Sequence, residues 1–353
     1  MNTSCTKLLS TAASICFVLV SHYSSAQNKE GFRFNDHIDK KQIDISYNGR
    51  VLTSYCYYDS LMKPVLFPIN TVSGVTITRG WPLEPRPGEQ VDHPHHLGMW
   101  MNYESVNGTD FWNNSTAIPY NIRSKYGSVI HESIIKTEFS TKRAILEVVA
   151  RWVNHHGDVF LREQTRYTFS VTDADFVIDR ATTLTAANLE VVFKDIKDGF
   201  FAIRVARQLE QPSTESQTVY DAHGNPTVIP PTSDKSVNGE YVSSEGLKGD
   251  AVWGTRAKWV KLHGRKDGRQ ITITIFDHPK NPGYPAYWHA RGYGLFSVNP
   301  LGQEIFSKGK EKLNLTIRPN QSVTFRYRVN IHEGELVPSE KLDKLAKDFS
   351  KSN

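Results

Sequence analysis

The chain has 353 residues, with 42 Lys and Arg against 37 Asp and Glu, and a formal net charge of +5. A mild basic excess is compatible with an acidic ligand without demanding one. No Lys/Arg-rich run, zinc-finger spacing or RNA-binding signature occurs, which sets nucleic acid aside.

Residues 1–26 carry one charge, Lys7, then an apolar stretch over 8–20 and a short polar run ending Ser24-Ser25-Ala26. That order predicts a secretory signal peptide cleaved before Gln27, and a periplasmic or secreted protein. The apolar stretch is shorter than the roughly 20 residues a spanning helix needs, and no later stretch reaches that length. Of the three cysteines only Cys56 lies beyond the leader, so residues 27–353 cannot close an internal disulfide. Cys56 sits in a strand-like run over 51–58 and reads as a small core residue.

Strand patterns follow. Residues 138–151 are dense in β-branched and aromatic side chains, and 159–171 alternate strictly, with Arg162, Gln164 and Arg166 opposite Leu161, Glu163, Thr165 and Tyr167. Glu163 falls on the apolar face, so it is either paired with an arginine or catalytic. Segments 176–185, 252–262, 270–276, 312–317 and 322–331 read likewise, with turn residues at 154–157, 173–175, 264–268 and 318–320 between them. The polar stretch 208–250 interrupts the pattern and reads as an insertion, a functional lid or a disordered loop, within one domain spanning 27–353. At the C-terminus Ser339 is a candidate N-cap, and Leu342, Leu345, Ala346 and Phe349 form the apolar stripe of a short helix. The expected fold is all-β, an antiparallel sandwich closed by that helix.

Chemistry concentrates in two segments. The first is Asp92-His93-Pro94-His95-His96-Leu97-Gly98 with Trp100 and Trp112; the second runs from Asp277-His278-Pro279 to Tyr287-Trp288-His289-Ala290-Arg291-Gly292-Tyr293. A turn whose histidines satisfy carbonyls would explain any one of them, but the cluster points to a site. An extended backbone at Pro94 would aim His93 and His95 one way and His96 the other. In one reading no metal or cofactor is needed. His95 or His96 is the base, Tyr287 or Tyr293 the acid, and Arg291 or Arg204 neutralises an anion, with Arg207 a further candidate. His93, His278 and His289 then contact substrate, and Trp100, Trp112 and Trp288 offer stacking faces. In the other reading His93, His95 and His278 ligate zinc or copper. Trp253 and Trp259 read as core.

The first segment, Asn107-Gly108-Thr109-Asp110-Phe111-Trp112, Asp250-Ala251-Val252-Trp253-Gly254, and 277–282 with 287–296 together resemble a bacterial family labelled methane oxygenase PmoA-like. Membrane methane oxygenase subunits span the bilayer repeatedly and this chain has no such segments, so that activity is set aside. The family is similar to the galactose-mutarotase-like supersandwich and accompanies polysaccharide-utilisation enzymes. The resemblance implies an acidic oligosaccharide as partner, met by His, Tyr and Arg as in some polysaccharide lyases. Elimination by a lyase or dehydratase is the leading expectation. A sugar mutarotase or epimerase, a glycan-binding module and a His-ligated metal oxidase or hydrolase are the alternatives.

Overall fold

A computed structural model describes residues 1–2, 30–231 and 233–352. Residues 3–26 of the expected signal peptide, and its cleavage point, lie outside them. Strands β1 (Phe32–His37), β2 (Gln42–Tyr47), β3 (Arg50–Cys56), β4 (Val65–Ile69) and β5 (Met99–Tyr103) come first. Four long strands follow: β6 (Ser128–Phe139), β7 (Arg143–Val153), β8 (Val159–Thr172) and β9 (Asp175–Ala186). Next come β10 (Val191–Val192), β11 (Gly199–Arg204), β12 (Gln217–Tyr220), β13 (Pro226–Ile229), β14 (Glu240–Ser243), β15 (Trp259–Lys266) and β16 (Arg269–Asp277). The chain ends with β17 (Tyr287–Arg291), β18 (Leu295–Asn299), helix α1 (Gln303–Phe306), β19 (Thr316–Ile317), β20 (Ser322–Glu333) and helix α2 (Ser339–Phe349).

Two antiparallel eight-stranded sheets result. One has the order β1-β2-β3-β4-β5-β11-β18-β17, the other β14-β15-β16-β20-β9-β8-β7-β6. Alternation decides which side chains meet between them. In β8, Leu161, Glu163, Thr165, Tyr167 and Phe169 are buried while Arg162, Gln164 and Arg166 are exposed, as the sequence predicts. Across the sandwich, Met99, Met101, Phe201, Ile203, Phe296 and Val298 meet Leu146, Tyr167, Phe169, Phe325 and Val329 in one core. The sandwich therefore rests on apolar burial, at about 25 cal/mol per Å² removed from water. Cys56 is fully buried and free.

Glu163 is a structural partner. It accepts from Arg180 at 2.9 Å and from the Trp152 indole at 2.8 Å, inside the core. The β15–β16 turn is tighter than expected: Asp267 and Gly268 both take positive φ, as a two-residue hairpin with right-handed strand twist requires. Two predicted strands shrink. Only Thr316–Ile317 of 312–317 forms a strand, and β15 starts at Trp259, after a 3-10 turn over residues 249–252 and an irregular connection over 253–258. Helix α2 forms as expected, with Leu342 and Phe349 buried against Trp259, Phe276 and Val337. Its N-cap position is Pro338, with no side-chain cap, so Ser339 is the first helical residue and not the cap.

The described residues of the polar stretch 208–250 carry regular structure. They hold a 3-10 turn, the hairpin β12–β13 and the edge strand β14, pinned by backbone bonds such as Tyr220 N–H to Glu89 O at 3.0 Å.

Candidate functional site

Sheet alternation builds the floor of a cleft on the face turned away from the core. Trp100 on β5, Ala202 and Arg204 on β11, Leu295 on β18, and His289 and Arg291 on β17 point to this face. Their neighbours Met99, Met101, Phe201, Ile203, Trp288, Ala290 and Phe296 point into the core. A cavity of about 480 Å³ lies here, walled by the histidines of residues 93–96, Trp112, Lys197, His289 and Arg291.

The 92–98 segment reaches this floor because it is a turn. His96 N–H bonds to His93 O at 3.0 Å, and His93 and Gly98 take φ of 46° and 53°. A Cβ at Gly98 would stand 2.2 Å from Leu66 O, so only glycine fits. With His93 left-handed, strand alternation does not apply, and all three rings converge. His93 stacks on His96 at 4.7 Å, and His95 meets His96 edge-on at 4.3 Å. Tyr293 also stacks on His93, at 4.9 Å.

Two buried arginines fix the turn. Arg79 donates to the carbonyls of Gln90, Asp92, His93 and His96. Arg79 and Arg204 each donate to Asp92 Oδ1 at 2.6 Å. Burial alone would raise the Asp92 carboxyl, but the His93 hydrogen bond and both guanidiniums outweigh it and hold it well below the usual range. Lys63, buried beneath the turn, donates to His95 O at 2.7 Å.

Burial holds His95, His96 and His289 neutral. Burial, then neighbouring charge, drives His95 and His96 far below the ordinary imidazole value. Burial lowers His289 to about 4, against the opposing pull of its bond to Lys197 O. Their tautomers follow from their partners. Arg204 can only donate, so His96 Nδ1, 3.3 Å away, accepts, and Nε2 carries the proton. The Lys197 carbonyl can only accept, so His289 Nδ1 donates at 2.6 Å, and the Nε2 lone pair has no hydrogen-bond partner among the described residues. Burial raises Tyr293 to about 12, so its phenol stays protonated.

Arg291 projects into the cleft. Its guanidinium lies 5.3 Å from the Trp253 ring and 5.9 Å from Tyr293. Among the described residues, no carboxylate pairs with it.

The structure brings together His93, His95, His96, Trp100, Trp112, Arg204, His289, Arg291 and Tyr293. Trp100 and Trp112 are both fully buried, one stacked on His96 at 5.3 Å and the other edge-on to it at 5.8 Å, so they support the ring and neither can be a sugar platform. Four expected site residues are engaged elsewhere. His278 is fully buried at the end of β16 in the other sheet, its ring edge-on to Phe349 at 5.0 Å. The His93–His95–His278 metal set is thereby overturned. Among the described residues, no group of three His, Cys, Asp or Glu side chains is arranged to hold a metal ion. Tyr287 lies under Arg256 and bonds Glu311, outside the cavity that the histidines of the 93–96 turn line. Trp288 faces the core and donates to Ala257 O at 3.0 Å. Arg207 is committed to Glu210 and Asp234.

Trp253 corrects the opposite expectation. It is 37% exposed and lines the cleft, while Trp259 is fully buried. The signal was present: Trp253 precedes Gly254, whose φ of 69° ends the strand pattern. Lys197 and Asp198 are also site residues that the sequence reading passed over, in a polar run directly before β11.

Similar solved structures include a GH36 alpha-galactosidase from Geobacillus stearothermophilus, with TM-score 0.40 and 11% identity over 86% of this chain and 41% of that one. The chain thus spans under half of that protein. A galactose 1-epimerase from Lactobacillus acidophilus NCFM gives TM-score 0.39 and 10% identity over 86% of this chain and 99% of that one. No curated protein matches the sequence. None of these matches carries the methane-oxygenase label. Residues 42–347 match the family of unknown function DUF6807, and the chain belongs to that family.

Proposed function

We propose that this chain is a carbohydrate-active enzyme that carries out elimination beside the carboxylate of an acidic sugar. The observation that carries the reading is Arg291: a guanidinium without a carboxylate partner among the described residues, held over two aromatic rings beside neutral histidines. Guanidinium binds carboxylate through two parallel hydrogen bonds, which makes it the natural partner for a uronate.

The remaining groups fit the required proton transfers. His289 Nε2 takes the proton from the carbon next to the carboxylate. The electron pair moves toward the carboxylate, where Arg291 offsets the growing charge. The bond to the β-oxygen then breaks, and that oxygen takes the Tyr293 proton. The products are an unsaturated uronate and an alcohol or water, and solvent returns the proton from His289 to Tyr293. The base is neutral and the acid protonated near neutral pH, as the step requires. His96 Nε2–H is a further donor to substrate oxygen, and His95 is a second candidate base.

Incubation with uronate-containing oligosaccharides tests the proposal. New ultraviolet absorbance from a conjugated double bond, with loss of one water in the dehydratase case, is expected. Binding without product would reduce the protein to a glycan-binding module. The pairing of a His96 N–H donor with the basic His289 Nε2 also favours a second reading, a mutarotase or epimerase, which needs no anion site. Polarimetry on neutral aldoses separates the two, since that activity would survive Arg291→Ala. Export belongs to the same proposal on the pattern of residues 1–26, and intact mass of secreted protein starting near Gln27 would support it.

A further inference from the structure

Arg291 stands between two chambers. Beyond the histidine cavity of about 480 Å³ lies a second cavity of about 790 Å³, and Trp253, Arg291 and Tyr293 line both. Each falls within the roughly 300–1,000 Å³ of ordinary ligand sites. The chemistry of the second chamber differs from the first. Its wall is the 211–218 segment, which presents hydroxyls of Ser213, Thr214 and Ser216, and it carries the carboxylates of Glu215 and Asp250. Its described lining contains no histidine or lysine, and Arg291 at its mouth is the one cation.

The wall is built in advance. Gln211 N–H bonds to Gly292 O at 2.8 Å, at the β17–β18 turn, and Val91 N–H bonds to Thr218 O at 3.1 Å. Gln211 Nε2 donates to Asp250 Oδ1 at 2.8 Å across the floor. A preformed wall spares a ligand the cost of ordering it.

We propose that this second chamber is a subsite for an uncharged sugar ring linked to the acidic one, so that the substrate is a mixed chain of at least two rings. The proposal rests on the acidic-sugar reading of Arg291. The carboxylate sits at the junction, where the guanidinium is free. The adjoining ring enters a chamber whose hydroxyls and amides match sugar hydroxyls and whose carboxylates repel a second uronate. The exposed Trp253 face packs against its C–H surface.

Titration calorimetry on the full chain tests this with glucuronic acid, glucuronic acid–galactose disaccharides in both linkage orders, digalacturonic acid and lactose. At least one mixed disaccharide is expected to bind about tenfold tighter than glucuronic acid and than the diuronate. Thr214→Trp, at an exposed wall position, is expected to remove that gain and leave glucuronic acid binding unchanged. Equal affinity for mixed disaccharides and glucuronic acid would overturn the subsite, as would Thr214→Trp weakening both alike. Lactose binding as tightly as the mixed disaccharides, with the gain still lost in Thr214→Trp, would support the subsite and overturn the acidic-sugar reading instead.

Discussion

Arg204 Nη2 donates to Asp92 Oδ1 at 2.6 Å across 112 residues of sequence, joining the floor of the sheet to the turn that carries three histidines. Arg79 donates to the same oxygen, and both arginine side chains are fully buried. Asp92 thus neutralises two interior cations and sets the height of the histidine turn. Removing one partner of a buried pair leaves a charge without compensation, so Asp92→Ala is expected to destabilise the fold by about 3–5 kcal/mol. Chemical denaturation measures it, and a change below about 1 kcal/mol, the range of exposed pairs, would contradict the assignment.

Arg291 behaves oppositely, because it has no carboxylate partner among the described residues and is exposed. Arg291→Lys keeps the charge and loses the planar fork. Turnover of an acidic substrate is expected to fall about 10²-fold or more, in the range of a lost transition-state donor, with the melting temperature nearly unchanged. A melting shift with intact turnover per folded molecule would make Arg291 a structural residue.

His289 sets an acid limb. Its ring is neutral above about 4 in the folded protein, against an ordinary value of 6.5. A base works only when deprotonated, so kcat/KM is expected to hold steady above that value and to drop as pH falls through it. The unfolded chain takes up this proton first, so the same group lowers stability as pH falls from 6.5 toward 4. His289→Ala is expected to cost about 10²–10⁴ in rate and to remove the limb. Retained activity with an unchanged profile would pass the base role to His95.

The tryptophans give a paired contrast. Trp288→Ala opens a cavity in a fully buried part of the core and is expected to cost about 3–5 kcal/mol of stability. Trp253→Ala, at a partly exposed ring, is expected to leave stability nearly intact and weaken sugar binding. Thermal melts and calorimetry on both variants check the pair, and equal melting losses would refute it.

The sequence by itself determined the sandwich, because period-2 burial is local. The face of β8 that carries Leu161, Tyr167 and Phe169 is written in the order of its residues, and so is the stripe of α2. It also marked the histidine turn and Arg291 through composition. Three things were decided only by tertiary structure. Strand β17 was recognised as chemistry-bearing, but which alternate set faces the cleft depends on its pairing with β18, and that pairing sends Trp288 inward and His289 and Arg291 outward. The two Asp-His-Pro motifs look alike, yet the one at 277 closes a corner, where Asp277 accepts from His278 N, Asn281 and Ala286 N. The motif at 92 instead meets Arg79 and Arg204, partners that no local pattern announces. Tautomers and proton affinities came last, since burial and the single acceptor or donor beside each ring exist only once distant strands have packed.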